Sequence, residues 1–179
     1  MRIASIIIVL ALVSNTVFSQ AVSYGNFKLS EQEIIYQKIN TLDSVTVAKL
    51  EEYYKTLPYL SNLETKSDGL QFDMNDVSVD YKKFQFTQVN TPSVLQTGKF
   101  SGKVTVGVKD GKYRVTVKAI QFTGNLGYKM VTEKDNLTRY ATKNSGTVLA
   151  EDWCRPNMLG LLDKAFNDKL ELKSDDDDW

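Results

Sequence analysis

The segment from Val104 to Val117 leaves little choice about its own fold. Val104, Val106 and Val108 alternate with polar residues, Asp110-Gly111 follows, and Tyr113, Val115 and Val117 alternate again. A period of two puts successive side chains on opposite faces of a strand. Asp-Gly favours the two-residue type I′ turn, in which both residues take positive φ. That turn predicts a register: Lys109 with Lys112, Val108 with Tyr113, Val106 with Val115 and Val104 with Val117. All six apolar side chains then share one face, and a slip of one residue would turn either strand's set to solvent.

The rest of the chain is also dominated by alternation. Asp68-Gly69 is a second turn signal, between a short strand around Leu63 to Lys66 and the alternating Leu70, Phe72 and Met74. Val77, Val79 and Tyr81 continue the pattern, which changes phase at Lys82-Lys83 before Phe84 and Phe86. A bulge or a turn is expected there. Ile34, Ile35, Tyr36 and Ile39 predict an early strand. Tyr128, Met130 and Phe122 suggest more strand after the hairpin. Asn90 to Gly98, with Pro92, reads as a loop, and so does the polar stretch Asp135 to Gly146.

Two segments carry helical spacing instead. Val47, Leu50, Tyr54 and Leu57 form one stripe, with Thr46 as N-cap and Pro58 barring continuation. Leu159, Leu162, Phe166 and Leu170 form another, widened by Met158 and Ala165, with Pro156 fitting the first turn and the helix spanning about 156–172. Both stripes are narrow, as for helices that cover a sheet. The expected fold class is α+β: an antiparallel β-sheet with two helices packed on one face.

At the N-terminus, Arg2, the apolar run Ile3 to Val13 and the small residues up to Ser19 have the three parts of a secretory signal peptide. Cleavage is expected before Gln20. The run is shorter than the roughly 20 residues that span a bilayer, and no later stretch is apolar enough to do so. The expected organisation is a leader over 1–19, one domain over 20–173 and an acidic tail over 174–179. The protein is expected to be exported and to be periplasmic, envelope-associated or secreted. Without Arg2, acidic side chains outnumber basic ones by one. That balance argues against bulk attraction to nucleic acid or anionic lipid. The lone Cys154 allows no intrachain disulfide and reads as a small core residue.

Gly107 to Ile120, GVKDGKYRVTVKAI, resembles the hallmark hairpin of the DUF4468 family, exported bacterial domains of unknown function. The strand–helix segment IIYQKINTLDSVTVAKLEEYYKTL and the meander from Leu63 to Phe86 are similar to that family too, so the resemblance runs from about Glu33 to Gly124. It implies a TATA-binding-protein-like (TBP-like) fold and an exported location. It implies no activity and no catalytic residue, and a fold shared with a DNA-binding protein does not imply DNA binding.

The chain has no histidine, which removes Ser-His-Asp and Cys-His catalysis and histidine-ligated zinc. Gly98 to Gly102 lacks the spacing of a phosphate loop. A calcium loop starting at Asp73 fails because Val77 and Phe84 stand where oxygen ligands belong. No cofactor and no metal are expected. Asp73, Asp76, Asp80, Glu51 and Glu52 are the carboxylates available for acid–base work. None sits in a context that marks an active site, and solvated strand edges and helix faces account for all of them.

One surface remains. The register that turns the six apolar residues inward turns Lys103, Lys109, Lys112, Arg114 and Lys118 outward. Like charges stacked across a ladder are unfavourable, and Asp73 or Asp80 from a neighbouring strand would offset them. Strand lysines also guard edges against pairing. These five cations are the candidate ligand-binding residues. The expected function is a non-enzymatic binding or envelope-associated module for an anionic glycan, a cell-wall polymer or an acidic protein. A structural subunit pairing through a sheet edge and a carboxylate-based hydrolase are the alternatives.

Overall fold

The computed structural model describes residues 21–173; the expected leader over 1–19 and the expected acidic tail over 174–179 lie outside them. The chain begins with three strands, β1 (Ser23–Tyr24), β2 (Phe27–Ser30) and β3 (Glu33–Thr41). Helix α1 (Val47–Lys55) follows, then β4 (Leu60–Lys66), β5 (Gly69–Ser78) and the short α2 (Ser93–Thr97). The long hairpin is β6 (Lys99–Lys109) and β7 (Lys112–Asn125). After β8 (Met130–Asn136) come α3 (Thr138–Ala141), β9 (Thr142–Lys143), a 3-10 turn (Asn144–Gly146), β10 (Val148–Leu149) and α4 (Leu159–Leu170).

Strands β1 to β8 form one antiparallel sheet in the order β1-β2-β3-β7-β6-β5-β4, and β8 pairs with the far half of β7. The hairpin register is as the Asp-Gly turn dictates: Lys109 faces Lys112, Val108 faces Tyr113, Val106 faces Val115 and Val104 faces Val117. Asp110 (φ 47°) and Gly111 (φ 70°) hold the left-handed conformations that a type I′ turn requires. Further along, the register shifts between Ser101 and Lys103, and Ala119 has φ 49°. This bulge restores the inward phase for Ile120 and Phe122. A second shift, between Met74 and Val77, surrounds Asp76 at φ 50°. Lys134 Nζ on β8 pairs with Asp76 Oδ1 at 3.0 Å, and Asp76 N–H donates to the buried Ser101 Oγ at 3.0 Å, so the two irregular segments are tied together.

The main core cluster lies on one face of this sheet, while the buried Ile35 of β3, between Ile34 and Tyr36, falls on the other phase. Phe166 of α4 packs on Phe27, Tyr36 and Phe100, with ring centroids 5.8, 5.4 and 6.3 Å away. Tyr54 of α1 packs on Phe72 at 4.8 Å. Both helices therefore cover the same face, as their narrow stripes imply. The space between sheet and helices is filled by these rings and by Leu50, Met74, Val104, Val117, Leu162 and their neighbours.

The C-terminal end of α4 is held by tyrosines. The last carbonyls of a helix have no partner within it. Here Tyr54 Oη donates to Leu170 O at 2.7 Å, Tyr53 Oη to Glu171 O at 2.8 Å and Tyr59 Oη to Lys169 O at 2.7 Å. Leu172 N–H donates to Tyr113 Oη at 2.8 Å. The aromatic residues of α1, β7 and the loop after α1 thus dock α4 onto the sheet.

Several local expectations change. Thr46 caps α1 by accepting from Lys49 N–H at 3.2 Å, but Leu57 lies beyond the helix end. Helix α4 starts at Leu159 rather than near Pro156, because Met158 has φ −122° and ψ −101° and Trp153 to Met158 are spent in turns. The second hairpin turns at Ser67-Asp68, since Lys66 pairs with Gly69. The phase change near Lys82-Lys83 is a turn, with Phe84 and Phe86 N–H both donating to Tyr81 O. The loop read over Asn90 to Gly98 contains α2, which buries Val94 and Leu95. It packs tightly because a Cβ on Gly124 would come within 2.9 Å of Gly98 Cα. The loop read over Asp135 to Gly146 contains α3 and β9, with Leu137 and Ala141 in the core. Phe122 belongs to β7 itself, and Tyr128 is exposed between β7 and β8. Cys154 is half-buried rather than fully interior.

Candidate functional site

The face of the sheet opposite the helices carries the hairpin's outward residues. Lys103, Lys109, Lys112, Arg114 and Lys118 are all exposed there. The ladder sets Lys103 opposite Lys118 and Lys109 opposite Lys112. None of the five makes an ion pair with another described residue, whereas Lys38, Lys55, Lys83, Lys134, Arg139, Arg155 and Lys173 all do. Uncompensated like charges on adjacent strands cost stability at low salt.

The neighbouring carboxylates are placed unequally. Asp73 stands opposite Lys103 in the β5–β6 ladder, but its Oδ2 accepts from Asn62 Nδ2 at 2.8 Å. Asp80 does not reach the face: it lies past the end of β5, where its Oδ1 accepts from Lys83 N–H at 3.2 Å. Asp68 and Asp110, each in a hairpin turn, line a hollow of about 530 Å³ with Ile39, Gly107, Lys109, Lys112 and Arg114. A smaller hollow of about 130 Å³ adjoins it and shares Asp68, Gly107 and Arg114.

Gly107 is turned outward by the hairpin register, and sequence reasoning passed over only what stands beside it. It lies among the outward positions of β6, and a Cβ built on it would meet nothing within 4 Å. Its ladder partner on β5 is another glycine, Gly69. Only the pairing of the two hairpins brings them together.

The acid–base candidates do not gather. Glu51 is bound to Lys55 along α1 at 2.5 Å, and Asp76 to Lys134. Their lysine partners hold both carboxyls below the usual carboxylate range. A general acid at neutral pH needs the opposite shift. Among the described residues, no three carboxylate or thiol side chains come together as metal ligands would. Burial, with Glu151 nearby, pushes the Cys154 thiol up, away from the thiolate that nucleophilic chemistry uses.

A polar cluster that the sequence reading missed lies on the helix side. Lys38 Nζ bonds Asn167 Oδ1 and lies 3.4 Å from Glu171 Oε2. Asn40, Asn167, Asp168 and Glu171 line a hollow of about 590 Å³ there. The signal was present in β3, where the inward positions pass from Ile34 and Tyr36 to Lys38 and Asn40. Asp168 is shared by Lys83 and Lys173, so this cluster's charges largely satisfy one another.

No protein-family description and no curated protein matches the chain. Among solved structures it is similar to a DUF4468 family protein from Bacteroides ovatus, at 14% identity over 84% of this chain and 94% of that one, with a TM-score of 0.46. It is also similar to a TBP-like protein from Parabacteroides distasonis, at 9% identity over 81% of this chain and 97% of that one, with a TM-score of 0.44. Both names coincide with the resemblance carried by Gly107 to Ile120. Neither carries an activity.

Proposed function

We propose that this chain is an exported, non-catalytic binding module whose outer sheet face takes an anionic partner. One observation carries the binding reading. Lys103, Lys109, Lys112, Arg114 and Lys118 stand exposed on one face, with no ion-pair partner among the described residues. Charges left unpaired on a rigid central hairpin are available to a ligand at little conformational cost. The export reading rests on the leader pattern of residues 1–19. The hydrolase reading draws no support from carboxyls whose shifts run downward. Pairing through the β4 edge is disfavoured by the register shift between Ser61 and Glu64 and by the charged Glu64 and Lys66.

The test is titration of the purified protein with polygalacturonate and polyglutamate at low and high salt. The double variant Arg114→Glu/Lys118→Glu should keep its melting temperature and bind at least about tenfold more weakly. Unchanged affinity in that variant, or no binding of either polyanion, would overturn the binding reading. Export is checked by sequencing the N-terminus of protein from the periplasmic fraction of a bacterial host. Gln20 is the expected first residue, and protein retained in the cytoplasm with Met1 intact would overturn it.

A further inference from the structure

The outer face is organised in rows. One row crosses five strands as Lys66, Gly69, Gly107, Arg114 and Ile39. Two of its positions have no side chain; the space over Gly107 is open, whereas Gly69 is buried and a Cβ there would run into Val106 O. Arg114 and the exposed Ile39 border the gap on one side. The next row is Glu64, Gln71, Thr105, Thr116 and Gln37, neutral from Gln71 onward; Thr116 is buried with Gln37 Nε2 donating to its Oγ1 at 3.1 Å, and Gln71 Oε1 accepts from Lys66 Nζ at 2.8 Å. The row beyond holds Asp73, Lys103 and Lys118. Strand geometry separates Arg114 from Lys118 by about 13 Å along β7 and neighbouring strands by about 4.8 Å.

We propose that this face is a track for a carboxylated polysaccharide, a reading that rests on the anion-binding function above and names its ligand class. Each row answers a different part of such a chain. Arg114, Lys118 and Lys103 take carboxylates, Arg114 in the forked geometry that suits them. The neutral row, led by the exposed Thr105 hydroxyl, exchanges hydrogen bonds with sugar hydroxyls. The open position at Gly107 lets a ring lie close to the backbone, as bare glycine positions do wherever a ligand approaches the main chain. Ile39 offers an apolar surface beside the gap. An acidic peptide fits less well. Strands recognise extended peptides through a free edge, and β6 and β7 are central strands whose backbone groups are already engaged. Asp68 and Asp110 lie at the hairpin-tip end of the larger hollow, which places the favourable end of the track toward Arg114 and Lys118.

The experiment separates shape from charge. Purified protein is titrated calorimetrically with polygalacturonate, polyglutamate and neutral dextran. Polygalacturonate should bind at least about tenfold more tightly than polyglutamate, with no binding to dextran. Gly107→Val fills the gap and leaves every charge in place, so its polygalacturonate affinity should fall about tenfold with an unchanged melting temperature. Thr105→Val removes one hydroxyl from the neutral row and serves the same purpose should the glycine variant fold poorly. Equal binding of the two polyanions, with both variants neutral, would overturn the polysaccharide assignment while leaving an anion-binding face suited to an acidic protein. Binding of neither polyanion would remove both readings.

Discussion

The hydroxyl of Tyr54 donates to the carbonyl of Leu170 at 2.7 Å, joining the buried side of α1 to the last residue of α4. Tyr54 is 1% exposed, so no water replaces that bond if the hydroxyl is removed. Tyr54→Phe keeps the ring packed against Phe72 and strands the carbonyl. The expected cost is about 1–2 kcal/mol, or about 2–8 °C in melting temperature for a domain of this size. Urea and thermal unfolding check it. An unchanged midpoint would mean that the contact contributes nothing.

The same tyrosines make stability depend on alkaline pH. Burial pushes the phenols of Tyr53, Tyr54 and Tyr59 up, and that of Tyr113 up to about 12. The folded state therefore holds protons that the unfolded chain releases near pH 10. Their contribution is fully present below pH 10 and falls as pH rises from about 10 towards 12. The phenolate absorbance of these four tyrosines should appear together with unfolding. Simple titration of every tyrosine near pH 10 with the fold intact would contradict this.

Gly111 occupies φ 70° at the tip of the central hairpin. Gly111→Val puts a branched side chain into a left-handed conformation, at a cost of about 1–2 kcal/mol. The variant should unfold at lower denaturant with an unchanged slope, because the fold persists and only the turn is strained.

Phe166 joins α4 to three strands through Phe27, Tyr36 and Phe100. Phe166→Ala should cost about 3–5 kcal/mol, a large share of the roughly 5–15 kcal/mol that holds a domain folded. Near-UV circular dichroism and urea unfolding report it. A loss below about 1 kcal/mol would show that the site closes around the gap.

Much of this architecture was legible in the chain because the signals were local. The alternation around Asp110-Gly111 specified turn type and register together, and the structure reproduces all four pairings. The cations followed for the same reason: once one face is assigned, period two assigns the other. Thr46 and the stripe Leu50–Tyr54 marked α1 in the same way. Segments shorter than two helical turns, such as Ser93–Thr97 and Thr138–Ala141, carry too few residues for a period to be read, and their polar surroundings resembled loops. Strands β1 and β2 gave no signal because they exist by pairing with one another and with β3.

Local periodicity and turn chemistry act within a few residues, and they settled the hairpin, the two long helices and the outward row of lysines. The adjacency of Gly69 and Gly107, the bulges at Asp76 and Ala119 and the four tyrosines around the end of α4 belong to a different scale. Each joins residues far apart in the chain. Such contacts form only when the burial of a shared core compensates for the entropy of closing long loops, and no short stretch of sequence expresses that balance.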